Sequence, residues 1–65
     1  MRYRVLKRRW ANQKWYYPQG QRTFLGIPFG KWKNISDSPF HYPNAALGYI
    51  SGKGISLKGI EIVDE

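Results

Sequence analysis

Cysteine is absent from this chain of 65 residues, histidine occurs once, and acids number only four. Without cysteine there is no disulfide framework and no thiolate metal site. His41 alone cannot assemble a metal centre, so neither a metal nor a cofactor is expected. No apolar run approaches the roughly 18–20 residues of a transmembrane helix. The start, Met1-Arg2-Tyr3-Arg4, lacks the apolar stretch of a signal peptide. The expectation is a cytoplasmic protein with no membrane partner. A chain this short makes one domain, residues 1–65, and buries only about 60% of the surface its unfolded form exposes. Aromatic packing or a partner must supply the missing staple.

Acids are also missing from a particular place. Residues 1–33 hold nine of the eleven Lys and Arg residues and no Asp or Glu, whereas Asp37, Glu61, Asp64 and Glu65 all follow. The formal net charge of +7 therefore has a definite positive side. Such a field steers anionic partners, nucleic-acid backbone or an acidic protein face among them.

The same half carries eight of the eleven aromatic residues. They concentrate in Arg2–Tyr17, where six cations and five aromatics share sixteen positions. Unpaired charges are costly to bury, and Trp and Tyr are costly to leave wet. The run reads as a two-stranded ribbon with one face on a small core and the other aimed at an anion. Tyr3 to Trp10 is the first strand, with Tyr3, Val5, Lys7 and Arg9 on one face and Arg4, Leu6, Arg8 and Trp10 on the other. It passes from a buried half near Tyr3-Val5 to an exposed basic end at Lys7-Arg8-Arg9. Ala11-Asn12-Gln13 suits a hairpin loop, and Lys14–Tyr17 returns as a strand stopped by Pro18.

Further on, Gln19-Gly20-Gln21-Arg22 reads as a turn and Thr23-Phe24-Leu25 as a short strand. Gly26–Gly30 is a shaped loop whose Ile27 and Phe29 are read as inward anchors in preference to an exposed tip. Lys31–Ile35 resumes as a strand, and Ser36-Asp37-Ser38-Pro39 is a linker. Pro43 suits a first helical position, and Ala46, Leu47 and Ile50 form an apolar stripe over a short helix, Asn44–Ser51, above a Phe40 plug. Ile55–Val63 is the last strand, with a bulge at Gly59 and an acidic tail, Asp64-Glu65, that frays. The fold class is α+β, a largely antiparallel sheet of three to five strands with one short helix packed on one face.

Two catalytic patterns fail. Gly48–Gly54 has three residues between its first glycines and lacks a Ser or Thr after Lys53, so it is not a phosphate-binding loop. Asp37, His41 and the adjacent serines carry triad residue types, but in a turn-forming linker that ends at a helix entry. No enzyme is expected, and no catalytic residue is assigned.

The interleaving of cations and aromatics survives these tests. Lys and Arg neutralise phosphates, and aromatic planes stack on unpaired bases. The expectation is a small nucleic-acid-binding protein using Arg4, Lys7, Arg8, Arg9, Lys14, Arg22, Lys31 and Lys33 as backbone contacts. Trp10, Trp15 and Tyr16 are the expected stackers or groove wedges. Because Trp, Tyr and Arg also dominate protein hot spots, the alternative is a phage-type protein-binding module or inhibitor docked on an acidic groove of a host protein. A third reading is an oligomer-forming subunit that uses the edge of the last strand.

In plan, strands with Arg and Trp followed by Ala45-Ala46-Leu47-Gly48-Tyr49 resemble the small three-stranded-sheet-plus-helix DNA-binding domains of plant transcription factors and phage integrases. The strand opening and acidic helix start of those domains are absent, so no site residue is carried over. In its compact, aromatic-rich, cysteine-free style the chain also looks like phage accessory proteins as a class.

Overall fold

Ala11 and Asn12 both hold positive φ, 54° and 59°. Two such residues in succession match the twist of the flanking strands. In the computed structural model, which describes residues 1–64, Arg2–Trp10 (β1) therefore folds back directly on Gln13–Phe24 (β2). A second tight turn, Leu25 at φ 52° and Gly26 at 79°, returns the chain into Ile27–Asn34 (β3). After the helix Pro43–Gly52 (α1), Glu61–Asp64 (β4) joins the other side of β1. The sheet order is β3-β2-β1-β4, with β4 parallel to β1 and the other pairs antiparallel. The largely antiparallel α+β class is as expected.

Helix α1 defines the two faces of the sheet. Val5 and Tyr16 pack with Ala46 and Ile50, and Ile35, Phe40, Leu47, Ile55 and Ile60 close around them. Strand side chains alternate, so Tyr3, Val5, Lys7 and Arg9 lie on the helix side and Arg2, Arg4, Leu6, Arg8 and Trp10 on the opposite, open side. A helix this short is marginal in isolation and depends on that packing. Pro43 opens it, and the Tyr49 hydroxyl donates to the Ile35 carbonyl at 2.9 Å, tying its middle to the end of β3.

Several expectations change here. Pro18 does not stop the second strand. Its carbonyl accepts from Ile35 N at 3.0 Å, which places its missing amide on the side where β3 has just ended. Two residues earlier, Tyr16 exchanges both backbone bonds with Phe40, at 2.7 and 2.8 Å. Proline thus occupies the gap between two neighbours, where no ladder donor is needed.

Gln19–Arg22, expected as a turn, continues β2. Gly20 gives the Tyr3 ring room there, since that ring lies 3.3 Å from where a Cβ would stand. The last strand is only Glu61–Asp64, and Gly59, at φ 79°, serves a turn before it and not a bulge within it. Asp64 is a strand residue paired in register with Lys7, not part of a tail, while Glu65 lies outside the described residues. Ile27 and Phe29 are not anchors; both are exposed.

Candidate functional site

Among the described residues, no helix or strand packs over the face opposite α1. At one end Trp10 and Trp15, diagonal neighbours across β1 and β2, stack with ring centroids 4.8 Å apart and planes 14° off parallel. Across β2's other edge, the Phe40 bridge places His41 beside Trp15, with centroids 4.5 Å apart. Trp15 thus lies between Trp10 and His41. Its indole N–H donates to the Trp10 carbonyl at 3.3 Å, and the Trp10 N–H donates to the Tyr17 hydroxyl at 3.4 Å. Trp10 is 50% exposed, more open to a partner than Trp15, which is half-buried beside it.

Cations continue the face along β1. The Arg8 guanidinium lies 5.8 Å from the Tyr17 ring centroid. Leu6, buried yet outside the helix-side core, sits between its register partners Tyr17 and Val63. Beyond it the Arg4 and Arg2 guanidiniums lie 4.3 and 5.6 Å from the Trp32 ring centroid. Beneath them runs a polar tie across three strands. Arg4 Nε donates to Gln19 Oε1 at 2.8 Å, and Gln19 Nε2 donates to Asn34 Oδ1 at 2.9 Å. Gln19 is buried with both ends of its amide satisfied, which holds Arg4 over the ring. Among the described strand residues, register places one acid on this side, Glu61 on the outer strand β4.

The expected site residues divide between the faces. Arg4, Arg8, Trp10 and Trp15 come together on the open side. Tyr16 is a correction: it is only 8% exposed and forms part of the core, so it cannot stack on a base. Lys7 is a second correction, because its position at the solvent-facing basic end is on the helix side, half-buried and 3.9 Å from Asp64. Arg9 shares that carboxylate at 3.6 Å. Lys14 pairs in register with Arg9 and therefore also points to the helix side. Lys33 pairs with Gly20 on that side, Lys31 follows by alternation, and Arg22 pairs with Phe29 beyond an irregularity in the ladder.

Arg2, Tyr17, Trp32, His41, Gln19 and Asn34 also belong to this surface and are not among the expected contacts. Alternation along β1 carried a signal for Arg2, which shares the face of Arg4 and Arg8. No local signal marks His41, whose place follows from a bridge formed 24 residues after Tyr16. No protein-family model matches the chain, and neither a curated protein nor a solved structure is significantly similar to it.

Proposed function

We propose that the protein binds nucleic acid on the open face of its sheet, with single-stranded or unstacked segments preferred over regular duplex. The observation that carries this reading is the alternation of cation and ring along that one uncovered face. It runs from the Trp10–Trp15–His41 ladder through Arg8–Tyr17 to Arg4 and Arg2 on Trp32. Guanidiniums supply phosphate contacts, and the half-exposed Trp10 offers a plane on which a base extends a ladder already formed. Base–aromatic stacking contributes roughly 1–3 kcal/mol per base, while each neutralised phosphate makes affinity fall with salt. Arg4, Arg8 and Trp10 are the principal contacts, joined by Arg2 and Trp32, and Trp15 positions Trp10.

The test is a titration with short single-stranded and duplex DNA and RNA at two salt concentrations. Tighter single-strand binding that weakens with salt is expected. No affinity at low salt for any of the four overturns the reading. A protein captured from lysate after nuclease treatment, with no oligonucleotide binding, would favour the inhibitor reading instead.

A further inference from the structure

The β2–β3 hairpin runs past the rest of the sheet. β1 begins opposite Gln21, so residues 22–24 of β2 and their partners in β3 extend beyond the start of β1 and have no strand partner on that side among the described residues. The projecting tip holds Phe24, Leu25, Ile27 and Phe29, which are 71%, 87%, 67% and 66% exposed. Register puts Phe24, Ile27 and Phe29 on one side of the hairpin, with Leu25 at the turn. Leu25 also holds φ at 52°, a left-handed conformation that side chains other than Gly, Asn and Asp adopt at a cost. A turn with two positive-φ positions favours Asn or Gly at the first. A large aliphatic residue stands there although it is outside the core and holds a left-handed backbone conformation.

We infer that this tip inserts into the interface of an anionic lipid bilayer. Polarity is layered along the hairpin axis. Residues 23–30 carry no charge, Arg22 stands level with Phe29, and Lys31 and Lys33 follow toward the body of the sheet. From the Leu25 turn to the Phe29 rung is two to three residue rises, about 7–10 Å at roughly 3.3 Å each. Interfacial segments bury their apolar side to a similar depth, about 5–10 Å, with basic groups at the headgroups. No acid occurs before Asp37, so the hairpin itself carries no charge that repels an anionic surface.

Other occupants fit less well. A wedge into duplex DNA inserts between the base pairs of a step, whereas here four large apolar groups spread from the turn to the third rung of the hairpin. A second copy pairing edge to edge through β3 would bring Lys31 and Lys33 against their own like charges. No helix of the described residues is long and apolar enough to cross a membrane, and insertion into one interface needs none. The inference is independent of nucleic-acid binding on the open face.

The test is flotation with vesicles of phosphatidylcholine alone or mixed with phosphatidylglycerol. It compares the wild-type chain with Leu25→Ser/Phe29→Ser and Lys31→Gln/Lys33→Gln variants, each checked for folding by circular dichroism. Wild type should float with the mixed vesicles and not with phosphatidylcholine alone. Loss of two large apolar contacts should reduce partitioning by at least about tenfold. The lysine variant should lose binding to the anionic vesicles as well, and the serine variant should keep its oligonucleotide affinity. Failure of the wild type to float, or flotation unchanged by the serine substitutions, overturns the inference. Loss of oligonucleotide affinity in the serine variant without wild-type flotation would make the tip a nucleic-acid arm. A wild-type dimer that those substitutions dissociate would make it a self-association surface. Either result also overturns the inference.

Discussion

The Arg4 guanidinium lies 4.3 Å from the Trp32 ring centroid while its Nε donates to Gln19 at 2.8 Å. A cation fixed by a ring on one side and an amide below loses little further freedom when it meets a phosphate. Pre-ordering of this kind lowers the entropic cost of binding.

Gln19 is the keystone of that arrangement. Gln19→Leu keeps the volume but removes both side-chain hydrogen bonds, leaving Arg4 and Asn34 to find other partners. A loss of about 1–2 kcal/mol is expected, seen in urea denaturation as a lower midpoint at unchanged slope. Oligonucleotide affinity should fall as well, because Arg4 is released from its position.

The core is small enough for one side chain to decide folding. Ile50 is fully buried against Val5, Tyr16 and Ala46. Ile50→Ala should cost about 2–5 kcal/mol, a large share of the roughly 3–10 kcal/mol expected of a domain this size. Thermal unfolding by circular dichroism should show a transition lowered by many degrees or lost.

Leu25 offers the opposite case. Leu25→Asn relieves the left-handed strain without removing a core contact, so stability should rise by up to about 1 kcal/mol. That corresponds to a Tm increase of several degrees in a domain this small, at about 4–8 °C per kcal/mol. A fall in Tm would show that Leu25 makes a contact that stabilises the folded chain.

Asp64 bridges toward Lys7 and Arg9 at 3.9 and 3.6 Å, yet its side chain and that of Arg9 are more than half exposed. Such pairs contribute about 0–1 kcal/mol. Asp64→Asn should therefore leave the unfolding midpoint nearly unchanged, and chemical denaturation measures it directly.

Local pattern made much of this architecture legible. The two faces of β1 follow from alternation, the Ala11–Asn12 reversal from turn chemistry, and the Ala46–Ile50 stripe from helical spacing. What stayed hidden depends on pairing over distance. Pro18 remains in its strand because β3 ends and Phe40 begins on that side, which composition does not reveal. Tyr16 and Tyr17 are adjacent and chemically identical, so only register decides that one is core and the other lies under Arg8. Ile27 and Phe29 look like core residues and are exposed because their hairpin outruns β1. The candidate surface consequently contracts from all the early cations to those on one face.

The most direct measurement is the affinity of a fluorescent single-stranded oligonucleotide for two charge-depleted variants at the same salt. Arg2→Gln/Arg8→Gln/Trp10→Ala alters the open face, while Lys31→Gln/Lys33→Gln removes as many charges from the helix side. Affinity should drop at least about tenfold in the first, as loss of one stacked base implies, and only about threefold or less in the second. Equal losses in both, or a larger loss in the second, would contradict the assignment of binding to the open face.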